Sequence, residues 1–538
     1  MALKRGPYEE LVAKFSWAIP EQFNIAEAIC DRHVGQRRIA LIHEEVNGRV
    51  SELSFEDLQD RSKRLANALE AHGVARGDRV GILLPQCPEV AIAHLACYRI
   101  GAIALPLFTL FGPEALEYRL NDSGAKAVIV NDEGVAKLDA LRQSLKAPVI
   151  LVNVDGARGD GVLGFADLLE RASAQRTLGP TSSEDPAIIV YTSGTTGNPK
   201  GVLYPHRILL GHLPGVELPH EFFPQPGDRM WTPADWAWAG GLLDVLLPSL
   251  YHGIPVVAKR FAKFEPDAAF DLMARHGVRN AFMPPTALKM MRQVAEPKKR
   301  YKLELRSIGS GGERLGDEVL SWGRDVFGLT INEFYGQTEA NLTIANCASI
   351  MPTKEGSMGR AVPGHKVEIV NEEGRPVPPG DTGNIAVLAP DPVFFLKYWN
   401  KPEATRDKFR GPWLMTGDTG HRDEEGYFWF HGRDDDVILS GGYRIGPSEI
   451  EDCIMRHPAV AMVAVIGVPH PVRGEAVKAF VVPRDMATAD DELVRALQTL
   501  VKSKLSAHEY PREIEFRAAL PMTVTGKIMR RNLREESK

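Results

Sequence analysis

The chain has 538 residues, enough for about three or four domain-sized units, and its 44% apolar content supports large buried cores. A formal net charge of -6 is small for that length, so nothing electrostatic marks nucleic acid as a partner, and the basic clusters Lys298-Lys299-Arg300 and Arg530-Arg531 read as solvated faces. Five cysteines, Cys30, Cys87, Cys97, Cys347 and Cys453, form no CxxC pair and no regular framework, which argues against a disulfide scaffold or a zinc site and for a reducing compartment. The first ten residues lack the apolar core of a signal peptide and soon turn acidic, and the longest clean apolar run, Ala459–Ile466, is too short to cross a bilayer. A cytoplasmic protein with no transmembrane segment is expected.

In chain order, Ser54 opens a helix whose Phe55, Leu58, Leu65 and Leu69 share one face, with Asp57 in the capping-box position and Gly73 at its end. A strand at Val80–Leu84, a helix from Pro88 and a strand at Ala102–Pro106 follow, the alternation of βαβ units around a parallel sheet, and Val128–Val130 and Val149–Val152 continue it. The apolar run Ala187–Val190 enters a loop of hydroxyls and glycines. The alternation then resumes with Pro255–Val257, a helix over Pro266–His276, Asn280–Phe282 and a helix from Thr286. Two sheet-and-helix layers are therefore expected before about residue 340. Between Gly364 and Leu388 the short β-prone runs Val367–Val370 and Asn384–Val387, separated by Gly and Pro turns, predict a small antiparallel barrel or sheet. After the charged segment Gly432–Asp436, the last hundred or so residues suffice for a small domain of strands Val463–Ile466 and Ala476–Val482 with a helix over Asp490–Leu505.

The segment Tyr191–Gly201 carries the most chemistry. Gly194, Gly197 and Gly201 let the backbone approach an anion, Thr192, Ser193, Thr195 and Thr196 supply hydroxyls, and Lys200 adds a mobile ammonium. Gly201 after Lys200 breaks the P-loop pattern, so a polyphosphate loop of another kind is implied. Tyr335-Gly336-Gln337-Thr338-Glu339 sets an aromatic surface beside a carboxylate, suited to stacking a base and holding Mg²⁺ near phosphate. Asp418, in Thr416-Gly417-Asp418, follows a turn from which it can accept bonds from two ribose hydroxyls. Gly441-Gly442-Tyr443-Arg444 joins a flexible backbone to a guanidinium, and Lys527 stands on a tight turn near the C-terminus.

In this order and with these separations, the motifs resemble the adenylate-forming superfamily of acyl-CoA synthetases, luciferases and peptide-synthetase adenylation domains. Ser440–Glu451, His457–Val460, Pro471–Val482 and Tyr510–Phe516 are similar to medium-chain acyl-CoA synthetases. The resemblance implies an α/β fold: a large N-terminal domain over 1–432 with two βαβ-type sheets and a small β-barrel, a hinge at 433–437, and a small mobile α+β domain over 438–538. It also implies a two-step ligase using ATP, Mg²⁺ and coenzyme A. Thr192, Ser193, Gly194, Thr195, Thr196, Gly197 and Lys200 would cradle the β- and γ-phosphates. Gly312, Glu313, Arg314, Tyr335, Gly336 and Gln337 would frame the nucleotide, Thr338 would meet the α-phosphate, and Asp418 with Arg433 the ribose. Glu339 would hold the metal and Lys527 would bridge carboxylate and α-phosphate. Asp435 falls at the hinge position, and Gly441, Gly442, Tyr443 and Arg444 would face coenzyme A in a second conformation.

Relatives restricted to acetate carry tryptophan where this chain has Gly336, so a deeper slot is expected, with Trp236 and Trp238 near its wall or in the core. A medium-length, branched or aromatic monocarboxylate is the expected substrate; a benzoate-type or short-chain acid, or transfer to a carrier protein, is the alternative. Acetylation of Lys527 would delete a charge that the first step needs, which makes a lysine acetyltransferase a candidate partner. Monomer and homodimer both remain open.

Overall fold

The computed structural model describes all residues except 1, 2, 158, 160, 193–197, 313, 314, 316, 434–437, 446, 507, 522–527, 529 and 538, and the backbone alone at 317, 318, 431–433, 444, 448, 449, 452, 488 and 531. Ser54 accepts from the Asp57 amide while Asp57 accepts from that of Ser54, so the capping box starts the helix Phe55–Ala71, which buries Phe55, Leu58, Leu65 and Leu69. Helix Pro88–Ile100 is buried all round, as an interlayer helix must be, and ends at Gly101 with φ +77°.

Three sheets organise the chain among the described residues. The first, eight-stranded, runs Lys397–Tyr398, Lys200–Pro205, Pro186–Thr192, Ile103–Pro106, Arg79–Leu83, Ala125–Val130, Ile150–Asn153 and Val162–Gly164. Its strands all run parallel except Lys200–Pro205, which is antiparallel to both of its neighbours. The second has fourteen strands, of which Ile39–Glu44, Val256–Lys259, Met230–Trp231, Asn280–Phe282, Ser307–Gly311 and Asn332–Gln337 form a parallel block. The antiparallel strands expected as a small barrel, including Val367–Val370 and Gly383–Leu388, are hydrogen-bonded to that block through Ser357–Ala361 and Ala340–Ala345. The third sheet belongs to the C-terminal part: Tyr443–Ile445, Ile438–Ser440, Gly474–Pro483 and Val460–His470, with Glu513–Phe516 parallel to Gly474–Pro483. Ile450, Cys453, Leu497 and Val501 of two helices pack in one cluster with its strands, and Leu533 joins a separate cluster with Ala464, Ile466 and Phe480. Among the described residues no helix is long and apolar enough to cross a membrane.

One buried ion cluster pins the edge of the parallel block. Glu44 is 2% exposed and accepts from Lys259 Nζ at 2.7 Å and from both Nη atoms of Arg275 at 2.7 and 3.0 Å, with His276 Nε2 at 2.7 Å. Burial alone would raise its pKa, but the hydrogen bonds from Arg275, Lys259 and His276 outweigh that and hold it at about 2. Glu44→Ala is therefore expected to destabilise the large domain by about 3 kcal/mol, read as a lower urea midpoint. A depressed folded pKa stabilises fully above the ordinary carboxylate range. The wild-type advantage over the variant should thus persist at neutral pH and fade as pH falls toward about 2.

Candidate active site

Strand Asn332–Gln337 ends at the mouth of an open cleft of about 1050 Å³, solvent at its mouth included. The Tyr335 hydroxyl donates to Asp418 Oδ2 at 2.6 Å, joining residues far apart in sequence. Asp418 is 3% exposed, pairs in register with Arg433, and donates its amide to Thr416 Oγ1 at 3.1 Å. Gln337 Nε2 reaches the Thr416 carbonyl at 2.9 Å, a second tie between the same two strand ends. Gly312 has φ +95°, which a side chain tolerates poorly, and a Cβ there would stand 3.8 Å from the Trp238 ring. Gly312, Tyr335, Gly336, Gln337, Thr338 and Asp418 all line this cleft.

The expected phosphate loop is closed by the hairpin of Pro186–Thr192 and Lys200–Pro205, in which Thr192 faces Lys200. Lys200 Nζ lies 5.2 Å from the centroid of the Tyr398 ring, and the Tyr398 hydroxyl donates to Glu339 Oε1. Tyr204, from the same hairpin, donates to the Thr338 carbonyl. Thus two tyrosines of the smaller large-domain sheet bring Lys200, Thr338 and Glu339 together. Neither tyrosine stands in a loop motif; a period-2 reading of Lys200–Pro205 would put Tyr204 on one face, but Tyr398 arrives from a two-residue strand with no periodicity to read. Among the described residues no group of three or more His, Cys, Asp or Glu side chains is set to hold a metal. The buried carboxylate of Glu339 nevertheless suits Mg²⁺, which typically takes one or two carboxylates and completes its shell with phosphate oxygens and water.

The other half of the cleft is aromatic. Trp238 and Phe282 have ring centroids 5.6 Å apart, and Phe282 and Phe334 5.3 Å apart. Asp235 accepts from the Ala237 amide at 2.8 Å, forming the turn that presents Trp238, and burial pushes its carboxyl up to about 6. Trp236 is 1% exposed within the main core and contributes nothing to the cleft lining, so of the two tryptophans only Trp238 reaches the cleft. Gly336, the position expected to deepen the slot, lies in the cleft lining and is crowded by backbone. A Cβ there would stand 2.5 Å from Asn341 Oδ1 and closer still to Leu342 N, because the chain turns back across the glycine with Leu342 at φ +55°. The space beside it is already filled by Asn341 and Leu342.

The C-terminal part closes over this mouth. Gly441 and Gly442, at φ +63° and +81°, form the two-residue turn between Ile438–Ser440 and Tyr443–Ile445, the left-handed pair that such a hairpin demands. Gly442 and Leu439 line the main cleft, and Gly441, Gly442 and Tyr443 line a second cavity of about 650 Å³ together with Phe108, Asp235 and Pro284. Trp238 and Gly442 border both. Tyr443 stacks on His508 with centroids 3.7 Å apart and meets Phe108 at 5.9 Å; burial lowers the His508 pKa to about 3, leaving the ring neutral. Gly112 N donates to the Leu505 carbonyl, and Arg456 and Lys504 pair with Glu114. Arg444 is placed as backbone opposite Leu439. Ser193, Gly194, Thr195, Thr196, Gly197, Glu313, Arg314, Asp435 and Lys527 lie outside the described residues, as do the side chains of Arg433 and Arg444.

The cleft is polar on the side of Tyr335, Gln337, Thr338 and Asp418 and aromatic on the side of Trp238 and Phe282, the mixed lining of a small-molecule site in an α/β enzyme. Residues 30–399 match the family model described as AMP-binding enzyme, and residues 449–527 that of the AMP-binding enzyme C-terminal domain. The chain is 34% identical over 548 residues to the acetyl-coenzyme A synthetase of Bacillus subtilis (strain 168), covering 98% of this chain and 94% of that one. It is 36% identical to the mitochondrial acyl-coenzyme A synthetase ACSM2B of Homo sapiens, over 96% of this chain and 91% of that one. The crystal structure of Brucella canis acyl-CoA synthetase superposes with a TM-score of 0.74 at 35% identity, covering 99% of both chains. The chain therefore belongs to the AMP-binding enzyme family of the adenylate-forming superfamily, and it is an AMP-forming acid–thiol ligase.

Losing the Asp418 charge while keeping its shape tests the polar half. A hydrogen bond to a charged group contributes about 1.5–3 kcal/mol, so Asp418→Asn should raise the KM for ATP by about 10- to 150-fold. Far-UV circular dichroism and the KM for the carboxylic acid should change little.

Proposed function

We propose that the ligase acts on a medium-length, branched or aromatic monocarboxylate. The carboxylate attacks the α-phosphorus of ATP, pyrophosphate leaves, and an acyl adenylate remains. The coenzyme A thiol then gives up its proton and attacks the acyl carbon, and AMP leaves. The observation that carries the substrate reading is the Trp238–Phe282–Phe334 wall beside the nucleotide half, an apolar surface larger than an acetyl group can use. The same wall suits a benzoate-type acid. Release of AMP with coenzyme A across acids from acetate to decanoate, with isobutyrate and benzoate, tests the reading, and a kcat/KM maximum at acetate would overturn it.

Carboxylate attack on a phosphate sets like charges together, so catalysis rests on positive charge and fixed donors around the developing centre. In this reading Lys200 and the Thr192–Gly197 hydroxyls and amides hold the outer phosphates, Tyr335 and Gly312 frame adenine, and Asp418 holds the ribose. A Mg²⁺ ion at Glu339 would supply countercharge to the phosphates when bound. Lys527 bridges carboxylate and α-phosphate in the first step. It withdraws as the small domain turns about a hinge at Asp435, dividing the chain into 1–432 and 438–538. The arrangement described above, with Gly442 at the cleft mouth and a second cavity beside Tyr443 bordering the first at Trp238 and Gly442, favours the second step, because a pantetheine arm lying in that cavity would approach the cleft from the side of the small domain.

Two variants should split the half-reactions in opposite senses. Lys527→Ala is expected to cut acyl-dependent ATP–pyrophosphate exchange by at least about 100-fold, as expected where a charged group acts in only one transition state, yet leave thioester formation from a supplied acyl adenylate. A Cβ at Gly112 would stand 2.6 Å from the Lys504 backbone, so Gly112→Val should prise the small domain off. Thioester formation should then slow by about tenfold while exchange persists, the pattern of a lost conformational step. Equal loss of both half-reactions in either variant would remove the assigned role.

A further inference from the structure

The apolar half of the cleft contains one carboxyl group that neither the fold nor the two-step chemistry requires. Asp244 sits in Leu242–Leu246, a widened π-helical turn set between Ala239–Gly241 and Leu247–Tyr251. Leu242, Leu243, Val245 and Leu246 are fully buried, and Asp244 is 4% exposed on the cleft wall. A π turn inserts one residue into a helix and re-aims a side chain, a device that recurs at functional sites. For packing alone, a leucine would serve better, since burying a carboxyl costs free energy unless it is well paired.

Its pairing is half complete. Asp244 Oδ1 accepts from Asn341 Nδ2 at 2.7 Å, and this is the one hydrogen bond of its side chain among the described residues. No lysine, arginine or histidine pairs with it there, and burial holds its carboxyl well above the usual range, which favours the neutral form. Asn341 reaches it from the strand that follows the Gly336 crossing, and both side chains line the cleft with Phe282, Phe334 and Trp238. A neutral carboxyl beside an amide offers a donor and an acceptor within an aromatic wall.

Resting on the acyl-pocket reading above, we propose that Asp244 and Asn341 select a monocarboxylic acid bearing a hydroxyl group on the part of its chain remote from the carboxylate. The hydroxyl both donates and accepts, which matches this pair, and an acid lacking it leaves a buried polar group without its second partner. Asp244 acts as a specificity residue, touching the substrate away from the reacting atoms.

Matched pairs of acids test this: benzoate against 4-hydroxybenzoate, and hexanoate against 6-hydroxyhexanoate, with 6-aminohexanoate as the cationic control. AMP release is measured for the full-length wild type, Asp244→Leu and Asp244→Asn. The wild type is expected to favour the hydroxylated member by about tenfold or more in kcat/KM. Asp244→Leu should reverse that order by gaining on the unsubstituted acids, and Asp244→Asn should keep part of the preference. Asp244→Leu should also melt at a higher temperature, since a buried carboxyl gives way to an apolar side chain. Higher wild-type kcat/KM for the unsubstituted member of both pairs, or the same ranking in the wild type and Asp244→Leu, would overturn the inference and leave the ligase reading standing. Preference for 6-aminohexanoate over 6-hydroxyhexanoate would overturn it in favour of an ionised carboxylate that reads an ammonium. No AMP from any acid with coenzyme A would remove the ligase reading and this inference together.

Discussion

The hydrogen bond from Tyr335 to Asp418 ties the last strand of the parallel block to the antiparallel extension of the same sheet, and the cleft is built around that tie. Gln337 repeats it two residues on, to Thr416. Thr338 and Glu339 are then held from the other sheet by Tyr204 and Tyr398. Four of five consecutive residues thus anchor pieces of chain from two sheets, so the cleft lining they form is fixed before any ligand arrives. Preorganisation of this kind matters for phosphoryl chemistry, where donors that must reorient during the reaction contribute little to catalysis.

The same strand end explains why Gly336 is glycine. Directly after the turn at Glu339 the chain doubles back so tightly that Asn341 and Leu342 occupy the volume a Cβ would need. The crossing carries Asn341 to the cleft wall, where it meets Asp244. The constraint that positions the nucleotide side therefore also sets the polar feature of the acyl side. A bulky residue at position 336 would displace the strand before it narrowed any pocket.

Much of the fold was legible because it rests on local signals. The capping box of Ser54 and Asp57 and the Asp490 cap before Asp491–Lys504 satisfy helix-end amides by residues close in sequence, and Pro88 starts its helix by having no N–H to satisfy. The association of Tyr335 with Asp418 was legible only as two motifs of compatible chemistry. Tyr204, Tyr398 and Asp244 were not legible as site residues. Two enter through long-range hydrogen bonds, and Asp244 enters through a helical turn whose extra residue leaves no mark on an otherwise continuous leucine-rich pattern. Gly336 lines the cleft, and its lack of a side chain has a second cause that its motif does not reveal: a glycine signals room for something to approach, and here the visitor is the chain's own backbone.

The seating of the C-terminal part has a composition that bears on turnover. Arg456 and Lys504 are more than a third exposed where they pair with Glu114, and ion pairs of that kind contribute about 0–1 kcal/mol each. The apolar share comes from Tyr443, His508 and Phe108, a small aromatic cluster; His508 stays neutral, so no charge is stranded there while the parts are joined. Among the described residues the seat has one aromatic cluster, a backbone hydrogen bond from Gly112 and rim ion pairs, a set specific in register yet modest in strength. An enzyme that must exclude water from an acyl adenylate and then admit a long thiol arm needs that combination, since a large hydrophobic interface would hold one arrangement and stall the other.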